Sequence, residues 1–151
     1  MKSFAKLLIA AITFLVLTTH AFAANDTPVG YWKTVDDKTG EVLSIVQIYQ
    51  ADNALQGKIV KIMPVLGQKV TDRCVKCEGD LYNARMLGMV ILWGMQQVDS
   101  STWSGGRVLD PKSGNIYNGK MTLEDNGKLL NLRGYIGIPL FGRSETWIRV
   151  K

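Results

Sequence analysis

Apolar and polar residues alternate over much of the chain from residue 30 onward, with the period of two that is typical of β-strands. Each alternating run is short and ends at residues that favour turns. Asp36-Asp37-Lys38-Thr39-Gly40 and Asp110-Pro111-Lys112-Ser113-Gly114 are two such turns, and Asn126-Gly127 is a typical hairpin signal. The runs between the turns predict eight strands, at residues 30–35, 42–50, 55–63, 89–98, 102–109, 116–123, 129–136 and 144–150.

Eight short strands with turns at roughly ten-residue spacing predict an all-β fold, either a barrel or a sandwich. The second run has apolar residues on both faces, as in the wall of a barrel whose interior is filled or ligand-lined. Closure of the sheet would also remove its exposed edges. No segment has a convincing helical period, although residues 80–87 have room for one short helical turn. We therefore expect a single domain that forms an eight-stranded antiparallel up-and-down barrel.

The first 23 residues follow a different pattern. Lys2 and Lys6 precede an apolar stretch at residues 7–17, and Ala21-Phe22-Ala23 follows it. A positive start, a short apolar core and small residues at the end predict a secretory signal peptide, cleaved near Ala23-Ala24. The apolar stretch is too short to span a membrane comfortably. We expect a signal peptide at residues 1–23, a barrel domain at 24–151 without a transmembrane segment, and a periplasmic or secreted protein.

Removal of the signal peptide removes His20, the sole histidine of the sequence. Without an imidazole, the mature chain cannot form Ser-His-Asp or Cys-His nucleophile systems or a His-ligated zinc site. The formal net charge falls from +5 to +3 with the loss of Lys2 and Lys6, and the remaining charges alternate in sign along the chain. Such a surface does not fit nucleic-acid binding. Because the acids fall mostly in predicted turns, we expect no enzymatic activity, no cofactor and no metal site.

Both ends of the mature chain carry residues suited to closing a barrel. Gly30-x-Trp32 opens the first predicted strand, and Arg149 lies in the last one. A guanidinium stacked on an indole face would seal one end of the barrel. The arrangement resembles the lipocalin-like (calycin) barrels, in which a Gly-x-Trp on the first strand packs near an arginine of the last. We expect Trp32 and Arg149 to close the barrel rather than to contact a ligand.

A longer series of motifs runs through the whole mature chain. In order, these are Gly30-x-Trp32, Cys74-x-x-Cys77-x-Gly79, Gly88-Met89, Trp103-x-Gly105-Gly106, Leu109-Asp110-Pro111, Gly114-x-x-Tyr117, Arg133-Gly134-Tyr135-x-Gly137-x-Pro139, Gly142-Arg143 and Thr146-Trp147-x-Arg149-Val150. This order is similar to that of a bacterial family of exported proteins, the domain of unknown function 2147 family. The resemblance covers about residues 29–151 and implies a periplasmic or secreted single domain with a lipocalin-like barrel. It implies no established reaction.

Cys74 and Cys77 are the sequence's two cysteines, and both lie in a polar segment between strands. In an oxidising compartment, one intramolecular disulfide is the expected state. A redox role is an alternative, since Arg73 and Lys76 would favour a thiolate, and a metal site completed by neighbouring acids is another. Neither a helix N-terminus nor a βαβ context accompanies the motif, so we expect a structural bridge.

The segment 134–142 is unusually apolar for a hairpin connection, and it contains three glycines. It either folds back as a lid over one barrel end or exposes apolar area to a partner, a lipid or a ligand mouth. Arginines recur in the second half of the chain, and one that faced inward would need a carboxylate or a ligand anion. The candidate ligand- or partner-binding residues are Trp103, Arg107, Arg133, Tyr135, Ile138, Phe141 and Trp147.

Two functions from different classes fit these features. The first is an exported binding module that holds a small apolar or amphipathic ligand inside the barrel. The alternative is a secreted or periplasmic interaction protein with a solid barrel core, which would contact an envelope or host protein through the 134–142 loop. The interior volume distinguishes them, because only the first function requires a cavity of several hundred Å³.

Overall fold

The computed structural model describes residues 26–65, 67 and 71–150. The predicted signal peptide, residues 1–23 with cleavage near Ala23-Ala24, lies outside the described residues. The strands are β1 (Gly30–Val35), β2 (Val42–Ala51), β3 (Ala54–Ile62), β4 (Val90–Gln97), β5 (Thr102–Leu109), β6 (Ile116–Glu124), β7 (Leu129–Tyr135) and β8 (Gly142–Arg149).

The eight strands form one closed barrel in which each strand pairs antiparallel with the next, and β8 returns to β1. This architecture confirms the predicted all-β up-and-down barrel. A 3₁₀ turn at Gly79–Leu81 lies at the start of the segment for which a short helical turn was expected. In the described ranges, no helix is long and apolar enough to cross a membrane.

The connections divide the barrel into two unlike ends. At the closed end, the chain enters β1 and short turns at residues 52–53, 98–101 and 125–128 join the strands. At the open end, the connections are residues 36–41, 63–89, 110–115 and 136–141.

Large side chains fill the half of the barrel nearest the closed end. Trp32, Ile48, Met95, Met121 and Leu130 are at most 1% exposed and belong to one apolar cluster. They come from five different strands, so the inward face of nearly the whole wall contributes to the core. This half of the interior is a packed core rather than a ligand cavity.

The closed end is covered by Arg149, which stacks on Trp32. The guanidinium carbon lies 4.2 Å from the centre of the indole ring. The same guanidinium donates to the backbone carbonyls of Thr27, Val29 and Gly127. Gly30 leaves the space for it, because a Cβ at that position would lie 2.9 Å from Arg149 Nη1. The guanidinium therefore stacks on Trp32 and also joins three backbone segments.

The open end is reinforced by a disulfide between Cys74 and Cys77, both of which are buried. The segment containing it packs against the 110–115 turn. Gly114 shows how close this packing is, since a Cβ there would overlap the carbonyl oxygen of Lys76. The disulfide thus anchors part of the long β3–β4 connection to another open-end turn.

Candidate functional site

The open end contains a cavity of about 890 Å³. Its deepest part is apolar and is formed by Ile59, Val108, Leu132 and Trp147, which lie on four different strands. Each of these side chains is at most 9% exposed to solvent. The packed core at the closed end lies below this apolar floor, so the barrel has the form of a cup. The cavity volume lies within the range typical of small-molecule sites.

Three hydroxyl groups interrupt the apolar wall of this cavity. Thr34 on β1 faces Ser44 on β2, and their side-chain oxygens are 2.8 Å apart. Tyr117 lies on the opposite part of the lining, and its hydroxyl accepts a hydrogen bond from the Asn115 amide. These groups give the middle of the cavity a few hydrogen-bonding positions among apolar side chains, as is common in ligand sites.

The mouth of the cavity carries charged residues of both signs. Asp36 accepts hydrogen bonds from the backbone N–H groups of Thr39 and Lys38, each at 3.0 Å, and pairs with Lys112 at 3.3 Å. The backbone bond from Thr39, followed by that from Lys38, lowers the pKa of Asp36 to about 2. Asp36 is therefore a carboxylate at all physiological pH values, and Lys112 joins two open-end turns across the mouth.

A second charged group lies directly above the apolar floor. Glu145 accepts a hydrogen bond from Arg143 at 2.6 Å and another from the indole N–H of Trp147 at 3.3 Å. Asp37 lies 3.9 Å from the same guanidinium. Burial lowers the pKa of Arg143, but the hydrogen bond and charge of Glu145 outweigh it, and the net shift is upward. Trp147, Glu145 and Arg143 all lie on β8. Their hydrogen-bonding groups form a line from the floor of the cavity to its mouth.

Three of the predicted candidate residues line the cavity, and they occupy different depths. Trp147 is part of the floor, Tyr135 is half-buried higher up, and Phe141 is 68% exposed at the mouth. Trp103 lies elsewhere. It is buried opposite Met121 and does not line the cavity, so it belongs to the packed core.

Neither of the two candidate arginines lines the cavity. Arg107 is exposed and donates to the Asn118 side chain on the neighbouring strand. The hypothesis of an inward Arg107 assumed unbroken alternation along β5, but the register of β5 shifts between Ser104 and Gly106. After this bulge, Gly106 and Val108 are buried and Arg107 points outward.

Arg133 lies on the outer face of β7 and holds the adjoining loop. Its guanidinium donates to the carbonyls of Pro139 and Leu140 and to the Ser144 hydroxyl. Ile138, in the same loop, is 54% exposed and does not contact the cavity. The loop at residues 136–141 therefore stands at the mouth with its apolar side chains in solvent, and of the two alternatives for this segment the lid with buried apolar groups is not formed.

Arg143, Glu145, Thr34 and Ser44 line the cavity and were not among the predicted candidates. The sequence did contain a signal for the first two. Arg143, Glu145 and the buried Trp147 are spaced two residues apart along β8, so the period of two predicts that all three share one face. The pairing of Thr34 with Ser44 depends on the β1–β2 register, which the sequence pattern did not specify.

Comparisons with known proteins agree with the architecture. The family model described as "Uncharacterized protein conserved in bacteria (DUF2147)" matches residues 30–149. The structure of protein HP1028 from the human pathogen Helicobacter pylori, described as belonging to the lipocalin family, superposes with a TM-score of 0.70. The two sequences are 19% identical, and the match covers 83% of this chain and 84% of that one. The search of curated proteins found no match. The lipocalin-like barrel expected from the sequence is confirmed.

Proposed function

The chain belongs to the DUF2147 family of bacterial proteins, and we propose that it is an exported binding protein for a small amphipathic molecule. The observation that carries the proposal is the cup at the open end, with its volume of about 890 Å³ and its apolar floor. A barrel that served only as a solid scaffold would gain stability from filling this space, as it does at the closed end.

The distribution of polar groups indicates how such a molecule would lie. Its apolar part would pack against Leu132, Val108 and Trp147, where burial removes the most apolar surface from water. Its polar part would reach Glu145 and Arg143 near the mouth. Because these two residues already neutralise each other, a neutral or zwitterionic polar group suits the site better than a lone anion.

The acids that line the cavity support binding rather than catalysis. Asp36 is held by two backbone N–H groups and Lys112, and Asp110 by the Lys112 N–H and the Ser113 hydroxyl. Glu145 and Asp37 are both close to Arg143. Each of these carboxylates is therefore engaged by a structural partner rather than left free to transfer a proton. We propose that the protein is not an enzyme.

Export is part of the same proposal. The pattern of residues 1–23 is that of a cleaved signal peptide. The Cys74–Cys77 disulfide is supporting evidence, since such bonds persist in oxidising compartments. We propose that the mature protein works in the periplasm or outside the cell.

A second candidate function is binding of an envelope or host protein through the 134–142 segment. The exposed side chains of Ile136, Ile138, Leu140 and Phe141 favour it. The solid barrel core that this alternative assumed is present only in the half of the barrel at the closed end. The cavity therefore gives ligand binding the stronger support.

The decisive experiment is native mass spectrometry of the protein purified from the periplasm, with organic extraction of any bound molecule. In parallel, the neutral fluorophore N-phenyl-1-naphthylamine should bind with a gain in fluorescence. Leu132→Trp should weaken its binding at least about tenfold, because the larger side chain occupies the floor of the cavity. Arg107→Ala, on the outer face, is the matched control and should bind as the wild type does.

If the purified protein carries no small molecule and the fluorophore binds equally to wild type and Leu132→Trp, the cavity is not a ligand site. The protein-binding function would then be preferred.

A further inference from the structure

Exposed apolar side chains are concentrated at one end of the molecule. Among the described residues, eight large apolar side chains are more than half exposed. Seven of them belong to open-end connections, and one, Val98, lies at the closed end. The seven are Val75, Tyr82, Leu87, Ile136, Ile138, Leu140 and Phe141. Scattered exposed apolar residues need no explanation, but four neighbouring ones in the 136–141 loop, two of which line the cavity, indicate a contact surface.

The 136–141 loop projects its apolar side chains while its own backbone is held in place. Ile136 and Phe141 are joined by a backbone hydrogen bond at 3.0 Å, and Arg133 binds the carbonyls of Pro139 and Leu140. Leu140 is nevertheless 76% exposed, the highest value among the large apolar side chains of the described residues. A flexible loop could fold these groups onto the barrel, but this loop is fixed with them facing outward.

We propose that the open end docks on a lipid surface, with the 136–141 loop inserted among the lipid chains. The loop is a convex tip rather than a groove, which suits a fluid apolar medium better than a shaped protein pocket. The mouth of the cavity is bordered by Phe141 and Ile136 of the same loop. A molecule could thus pass between the membrane and the cup without crossing water.

The charges at the open end favour hydrophobic insertion rather than electrostatic attachment. Arg143 pairs with Asp37 and Glu145, and Lys112 with Asp36, so two of the basic groups at the mouth are neutralised. The interaction should therefore not require anionic lipids and should be insensitive to salt. Docking does not depend on the proposed ligand function, but the transfer of a molecule into the cup does rest on it.

The test is co-sedimentation of the purified, disulfide-intact protein with vesicles of phosphatidylcholine and phosphatidylethanolamine. The variant is Ile138→Ser with Leu140→Ser, since neither residue lines the cavity. Wild type should bind the vesicles, and the double variant should bind at least about tenfold more weakly. Val98→Ser, which changes a 63% exposed side chain at the closed end, is the matched control and should bind as wild type does. All variants should keep the wild-type melting temperature and fluorophore binding.

Three results would overturn the proposal: no binding by wild type, equal loss in Val98→Ser, or binding that needs anionic lipid and disappears at high salt. Sedimentation velocity without vesicles supplies a fourth. If wild type is a dimer that Ile138→Ser with Leu140→Ser dissociates, the surface serves a second copy of the chain instead. If wild type binds the vesicles but not the fluorophore, the ligand function is rejected and the docking surface is retained.

Discussion

At the scale of single residues, the closed end depends on two side chains that meet across the barrel seam. Trp32 is fully buried, and its indole N–H donates to the Pro28 carbonyl at 2.7 Å. Arg149 is opposite Trp32 in the β1–β8 register and stacks on it. Burial lowers the pKa of Arg149 below its usual value. The guanidinium remains charged near neutral pH, because an arginine does not lose its proton in proteins.

We expect Trp32→Ala to destabilise the protein by about 3–5 kcal/mol, as truncation of large core aromatics does. Arg149→Ala should also destabilise it, through lost packing and three lost hydrogen bonds. Urea unfolding of both variants and of their combination gives the coupling energy, which should be about 1–2 kcal/mol. Arg107→Ala is the control for an exposed arginine. Strictly additive effects would mean that the stacked pair does not act as a unit.

Asp36 provides a second residue-scale prediction, on pH. Its pKa of about 2 in the folded protein is below the usual aspartate value of 3.8. The unfolded chain therefore binds more protons in this interval, and stability should fall as the pH drops from about 4 to 2. Asp36→Asn should be less stable than wild type at pH 7, and the difference should shrink toward pH 2. An NMR titration of the carboxyl measures the pKa directly, and a midpoint near 4 would contradict the assignment.

At the scale of elements, two open-end turns share one sequence pattern and one conformation. Asp36-x-Lys38-x-Gly40 and Asp110-x-Lys112-x-Gly114 each place the aspartate side chain on the backbone N–H two residues later. In both turns, the glycine N–H bonds to the aspartate carbonyl at 2.8 Å, and φ of the glycine is positive, at 73° and 77°. The two turns differ in their surroundings, since only Gly114 is packed against another segment.

This pair allows backbone strain to be separated from packing. Gly40→Ala should cost about 1–2 kcal/mol, because alanine is disfavoured at positive φ. Gly114→Ala should cost a further ~1–3 kcal/mol, because its Cβ overlaps the Lys76 carbonyl and forces the disulfide segment to move. Denaturant unfolding of both variants is the measurement. Equal costs would show that the 110–115 turn does not support the disulfide segment.

The disulfide itself should be a modest local constraint. Because its loop is very short, removing the cross-link by Cys74→Ala with Cys77→Ala should cost about 2 kcal/mol. The same connection contributes Met86, Val65 and Thr71 to the cavity wall, so binding of N-phenyl-1-naphthylamine should weaken as well. A loss of the barrel's β-sheet circular dichroism would show that the bridge is needed by the whole fold.

The same scale shows why the fold could be predicted from the sequence but parts of the site could not. Strand positions follow from alternation and turn residues, and the observed bounds differ from the predicted ones by at most two residues. The direction in which side chains point is harder to predict. One inserted residue at the β5 bulge, marked by the positive φ of Gly105, exchanges the inward and outward faces of the strand. Arg107 therefore points outward, although unbroken alternation would put it on the same face as the buried Trp103. Alternation along β8 is unbroken, so the inward direction of Glu145 could have been predicted from the sequence.

At the scale of the whole molecule, packing density differs between the two ends. The closed end combines a filled interior with short turns and the Trp32–Arg149 stack. The open end combines the cavity, longer connections and most of the exposed apolar side chains. Segments with fewer buried contacts open at lower free energy, so ligand-linked changes should be confined to the open end.

Amide hydrogen exchange with and without saturating N-phenyl-1-naphthylamine tests this division. The amides of Gly40, Gly114 and Gly127 are each hydrogen-bonded within a turn, at 2.8, 2.8 and 3.0 Å. The first two turns border the cavity and the third is at the closed end, so Gly127 is an internal control. We expect slower exchange at Gly40 and Gly114 and no change at Gly127, because turn amides exchange through local opening that only adjacent ligand suppresses. Equal slowing at all three glycines would instead show that the ligand raises the global stability of the protein. The two ends of the barrel would then not differ in their response to the ligand.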